Sequence, residues 1–252
     1  YFFSYGKVLR DNIFSSTMTD YHWINHSWAS DIFIYLAFSR FGFWGLTFFG
    51  AVTITLILFF IGKASKLSFW DKSLLFPLIL YLNDPLFSVG FRSQVLSIMA
   101  LSLLYWIVSS ENSKKRTAFM LFSLFLFWAN LHGEFILGFG ILGLFCFIKV
   151  CVHIFQNKYY LLKSECLYYL GLGFLVFCAT LINPFGFGIY TEAFRHFGNP
   201  FAQYIIEWNP FILYSSLWWI LAAYSIALFM SIAIIVAKKE FSKNAPFAII
   251  SL

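Results

Sequence analysis

Four segments of this chain carry residue types that move protons or hold phosphate. The tightest is Trp128-Ala-Asn130-Leu-His132-Gly133-Glu134, which sets an imidazole and a carboxylate two positions apart beside an amide. His132 can act there as acid or base, or donate to a phosphate or a sugar hydroxyl. The same residues would also make an ordinary turn between two helices, with Gly133 easing the bend and Asn130 capping. A second segment, Asn83–Gln94, holds one basic residue, Arg92, just before an apolar run. A guanidinium placed so can grip phosphate through its planar fork of donors, or snorkel to lipid headgroups. The third holds His22, His26 and Asp31. Histidines four apart followed by a carboxylate can ligate a metal, but His22 is expected in a loop, and neither a metal site nor a cofactor is read here. The fourth, Asn183–Phe211, has three Asn-Pro steps and ends in Glu207-Trp208-Asn209-Pro210. Such steps order a loop by turns, and long loops in compact proteins are often lids or binding loops. Glu207 and Trp208 suit hydrogen bonding and stacking on a sugar ring; Trp208 suits an interfacial anchor equally well.

The elements that must position these groups are apolar. The 252 residues are 61% hydrophobic, 23% aromatic and only 11% charged, with a mean hydropathy of +0.79. Soluble domains carry about 25% charged residues, so too little charge is present to cover a water-facing surface. The outer solvent is therefore expected to be lipid. The net charge of +6 does not point to nucleic acid, because the basic residues are spaced between apolar runs and gather on no one face. Cys146, Cys151, Cys166 and Cys178 lie in or beside apolar runs without a Cys-x-x-Cys pair, and read as buried thiols.

A bilayer crossing takes about 20 apolar residues. Runs at Phe43–Gly62, Leu74–Val89, Val95–Ser109, Ala118–Leu131, Phe135–Phe155, Leu167–Ile182 and Ile212–Ala237 are the expected spans, and another begins near Ala245. Pro77 should kink the second. Residues 1–41 are too polar to span. They are expected to form external juxtamembrane helices, with Ser27–Phe38 an amphipathic interfacial helix capped by Ser27. Residues 42–252 then form the transmembrane domain, with 183–211 as an external loop. The fold class is all-α: a polytopic helical bundle of about seven complete spans and a partial one. The chain begins without Met and stops inside an apolar run, so a longer protein is expected at both ends.

Basic residues set the orientation. Twelve of the 17 Lys and Arg fall in alternate loops: Lys63, Lys66 and Lys72; Lys114, Lys115 and Arg116; Lys149, Lys158 and Lys163; Lys238, Lys239 and Lys243. The positive-inside rule puts these in the cytoplasm, as in a prokaryotic inner-membrane protein. The opposite side then holds His22, His26, His132, His196 and most of the acids, Asp31, Glu134, Glu192 and Glu207 among them.

Taken in order, Trp23-x-x-His26-x-Trp28-x-x-Asp31, Gly42-x-x-Gly45-Leu46, Arg92-x-Gln94, Trp128-Ala-Asn130-Leu-His132-Gly133, Asn183-Pro184-x-Gly186 and Glu207-Trp208 resemble a prokaryotic group of multispan proteins similar to the GT-C glycosyltransferases. The likeness runs along nearly the whole chain. Asp31 stands where Glu is more usual, and Ser93 where Pro is expected. The resemblance implies external interfacial helices and sugar transfer from a polyprenyl-phosphate donor to an unknown acceptor. It implies a catalytic Asp following a first span, upstream of Tyr1. It also implies a substrate-binding set drawn from His26, Asp31, Arg92, Gln94, Asn130, Glu134, Asn183, Glu207 and Trp208, with His132 assisting. The rival readings are a lipid or solute transporter, which would place charge near the bilayer midplane, and a non-catalytic membrane scaffold.

Overall fold

A backbone in hydrocarbon must satisfy its own hydrogen bonds, which leaves helices as the way for an apolar single chain without strands to cross. The computed structural model describes residues 2–11, 13, 16, 22, 24–82, 91–156 and 159–197, and there it is helical, with no strand among the described residues. The helices are α1 (Phe2–Tyr5), α2 (Trp28–Ala64), α3 (Phe69–Leu82), α4 (Ser93–Ser109), α5 (Lys114–Leu131), α6 (Phe135–Phe155), α7 (Tyr159–Thr180) and α8 (Gly188–Phe197). The expected spans at Ile212–Ala237 and from Ala245, and the pair Glu207 and Trp208, lie outside the described residues.

Among the described residues three helices are long and apolar enough to cross a membrane: α2, α6, and Leu162–Thr180 within α7. At 21 residues α6 is about 32 Å long, which matches a bilayer core of about 30 Å. Large apolar side chains turned outward, such as Trp44 at 84% exposure and Trp70 at 79%, fit a lipid-facing surface. The described residues are thus those of an all-helical membrane protein. Of the other expected spans, the second, third and fourth correspond to α3, α4 and α5, with residues 83–89 of the second lying outside the described residues. Of these α4 is the most apolar short one, and α3 continues as helix through Pro77.

α2 is 37 residues long but is not a rod. In a straight helix Phe33 and Phe49 would lie about 24 Å apart along the axis; their ring centroids are 4.9 Å apart. The chain doubles back at Gly42, whose φ of 58° and ψ of −148° belong to a region open essentially to glycine alone. Limb 28–41 and limb 43–64 then lie so close that a Cβ on Gly45 would fall 2.6 Å from the Ala37 carbonyl oxygen. The break falls at the position where the polar segment was expected to give way to the first span.

Two units are described separately: Tyr1–Leu142 with Leu170–Ile189, and Gly143–Tyr169 with Tyr190–Leu252. In the first, α2 packs most extensively on α4, and α4 on α5. Its core centres on Leu104, Leu121, Phe125, Trp128 and Phe135, all at 1% exposure or less. Trp128 fills the space that a side chain at 138 would occupy, since a Cβ on Gly138 would meet its ring at 2.3 Å. Phe125 stacks against both Trp128 and Phe139. In the second unit, Glu165 of α7 interacts electrostatically with Lys149 of α6. Lys149 Nζ also lies 5.3 Å from the centroid of the Phe145 ring.

Helix starts follow local chemistry. Ser113 Oγ accepts the Arg116 N–H and opens α5, so the helix takes in Lys114, Lys115 and Arg116. Ser68 and Asp71 form a reciprocal capping box at α3, each side chain accepting from the other's backbone N–H.

Candidate functional site

The first unit gathers five helix ends in one place: the starts of α2, α4 and α6 and the ends of α5 and α7. Asn130, in the last turn of α5, binds three of them together. Its Oδ1 accepts from the Trp28 indole at 2.9 Å, and its Nδ2 donates to the carbonyls of Leu126 at 2.8 Å and Ile182 at 2.9 Å. Both amide hydrogens are thus spent on backbone. Ser30, fully buried, lies 2.8 Å from both the Ser27 and the Leu131 carbonyl oxygens, one hydrogen shared between the two. These contacts fix the start of α2 against the turn that follows α5.

His26 and His132 meet across that joint, with ring centroids 5.6 Å apart and planes at 77°. Gly133 makes the approach possible, because a Cβ there would come 3.1 Å from His26 Cδ2. His132 follows the last turn of α5 in extended conformation, and its side chain is 13% exposed. Its Nδ1 lies 3.5 Å from the Glu134 carboxylate, which is 45% exposed. Burial pushes the Glu134 carboxyl up, but the hydrogen bond and charge of His132, the Ser97 hydroxyl and the charge of His26 outweigh it and hold the group below its ordinary range. Glu134 also precedes the first residue of α6, where the helix dipole favours a negative charge. Ser97, 2% exposed on α4, accepts from the Trp128 indole at 3.0 Å. It ties the carboxylate to the core.

The other expected site residues fall around this cluster. Asp31, in the first turn of α2, accepts from Asn25 Nδ2 at 2.8 Å. Ser27 occupies the N-cap position but its hydroxyl points to Asn25 Oδ1 and Asp31, so it makes no side-chain cap bond of its own. Arg92 is the residue before α4, extended, with its carbonyl accepting from Val95 at 3.1 Å, and Gln94 follows in the first turn. Both are half-buried and about a turn to a turn and a half before Ser97. Asn183 is committed to its own turn: it donates to Thr180 and Gly186 carbonyls and accepts from Phe185 N–H at 2.7 Å. The structure therefore brings His26, His132 and Glu134 together, and gives Asn130 and Asn183 scaffold roles.

One participant, Ser97, carries little sequence signal: a lone serine inside an apolar run is the only mark that it leaves. In the second unit the buried Glu192 pairs with Arg195 at 3.1 Å on α8. Among the described residues no group of three His, Cys, Asp or Glu is placed to hold a metal ion.

No family model, no curated protein and no solved structure matches the chain.

Proposed function

We propose that the protein is a membrane-embedded glycosyltransferase of the GT-C kind, moving a sugar from a polyprenyl-phosphate donor to an acceptor hydroxyl at the extracytoplasmic face. The observation that carries this reading is the His26–His132–Glu134 cluster at the helix ends of the first unit. A transporter would be expected to set its ionisable groups near the bilayer midplane; an enzyme acting on a lipid headgroup needs them at one surface. The cluster also lies at the opposite end of α5 from Lys114, Lys115 and Arg116. The positive-inside rule gives that basic end to the cytoplasm and the cluster to the outside.

In this reading a carboxylate takes the proton of the acceptor hydroxyl as its oxygen attacks the anomeric carbon. The bond to the lipid phosphate breaks, and the phosphate leaves with the electron pair. Arg92 and His132 neutralise that departing charge, which is where enzymes commonly gain most. Glu134 orients His132 and, with Glu207, holds sugar hydroxyls. Trp208 stacks on the ring. Sugar transfer from polyprenyl-phosphate-linked donors, assayed in membranes bearing the protein, tests the reading. Arg92→Ala and His132→Ala should each lower the rate by about a hundredfold. Undiminished transfer in both variants would refute it.

A further inference from the structure

The first unit also holds a recess whose lining residues have no part in the transfer step described above. Its cavity is about 220 Å³ and is lined by Arg10, His22, Ile24, Pro184 and Phe185, all within the first unit. Two stretches of chain far apart in sequence build it. Arg10 reaches across and donates to the Pro184 carbonyl at 2.9 Å. Ile24 packs on the opening of α8, where a Cβ on Gly188 would lie 3.2 Å from Ile24 Cδ1. The Asn183 turn holds Pro184 and Phe185 in place through three hydrogen bonds.

The walls mix two chemistries. Arg10 and His22 offer planar donors, and the Asp11 carboxylate, an acceptor, lies 3.6 Å from His22 Nδ1. Ile24, Pro184 and Phe185 offer an apolar floor. A site made for phosphate wants donors without a carboxylate beside them. One made for a hydrocarbon chain does not leave a histidine and an aspartate at 88% and 71% side-chain exposure, because charge facing lipid is costly. A sugar ring matches both parts, since its hydroxyls donate and accept at the edge and its C–H face lies on apolar surface. The volume is below the roughly 300–1,000 Å³ of pockets for drug-sized ligands, as suits one ring.

We propose that this recess is a saccharide subsite taking a single sugar ring, its hydroxyl edge on Arg10, His22 and Asp11 and its apolar face on Pro184 and Phe185. Its role as the acceptor's subsite rests on the transferase reading; the binding itself does not. The test is saturation-transfer NMR on the detergent-solubilised protein, using methyl glycosides of glucose, galactose, mannose and N-acetylglucosamine. At least one should receive saturation on its ring protons. Arg10→Gln and His22→Gln, at exposed positions that leave the core intact, should each weaken binding by about tenfold, the size of a lost hydrogen bond to a charged group. Inorganic phosphate should not compete. The proposal is overturned if no glycoside binds, if both variants bind as the parent does, or if phosphate displaces the sugar. No donor and no turnover enter this measurement, so absent transferase activity would sink the function and leave the subsite standing.

Discussion

Trp28 and Asn130, 102 residues apart, are joined by a 2.9 Å hydrogen bond from the indole to the amide oxygen. The same amide reaches Ile182, so one side chain clasps α2, α5 and the chain just after α7. Replacing it leaves an indole and a carbonyl without their partners. Asn130→Leu should destabilise the protein by about 1–3 kcal/mol, between the cost of an orphaned buried group and the smaller values met in membranes. Thermal unfolding in detergent reads this out, and an unchanged melting temperature would remove the clasp from the account.

Gly133→Ala should disturb the joint between His26 and His132. The new methyl meets His26 Cδ2 at 3.1 Å, tighter than ordinary packing allows, so the ring must shift. A stability loss of about 1 kcal/mol is expected, with a larger effect on the histidine resonances. If the NMR signals of both imidazoles stay where they are, the close approach is not what Gly133 serves.

Glu134 predicts a dependence on acid. Its folded-state carboxyl is held below the ordinary value by His132, Ser97 and His26 against the pull of burial. A depressed carboxyl stabilises the fold above its unfolded pKa, about 4.3, and that contribution fades as pH falls through the lower folded value. Between about pH 6 and pH 3 the parent should therefore lose more stability than Glu134→Gln. Equal losses on acidification would show that Glu134 is not the group concerned. The effect should be modest, because the carboxylate is 45% exposed and screened by solvent.

Gly42→Val should open α2. The backbone there costs a β-branched residue about 1–3 kcal/mol, and relief comes from straightening the helix. Cysteines at 33 and 49 should be bridged by a short bis-maleimide in the otherwise native protein and fail to be bridged with Val at 42, since a straight helix parts them by about 24 Å. Efficient cross-linking in both would mean that the fold-back is held by its packing and not by Gly42.

Much of the helical layout was legible from hydropathy. α6 runs over the same Phe135–Phe155 that the apolar pattern marks, and the break in α2 falls where the polar N-terminal stretch meets the first apolar run. The misses share a cause. Hydropathy marks where lipid begins, whereas helical hydrogen bonding continues through polar residues. Hence α5 starts at Lys114 and not at Ala118, and α7 at Tyr159 and not at Leu167. Within the candidate site, His26, His132 and Glu134 were visible as residue types. Their meeting was not, since it depends on contacts across more than a hundred residues and on Gly133 yielding space. Asn130 and Asn183 show the converse: their polar groups looked available in sequence and are spent in the fold on backbone groups and, for the Asn130 oxygen, on the Trp28 indole.

The clasp at Asn130 also orders events in time. A ribosome adds about 5–20 residues per second, so Trp28 is made about 5–20 seconds before its partner. Ile182 follows Asn130 by 52 residues, another few seconds at that rate. Until then the start of α2 is held to the end of α5 through Trp28 and Ser30 and has no tie to the segment after α7. A chain stalled before α7 ends would keep His26 beside His132 but lack the third arm of the clasp.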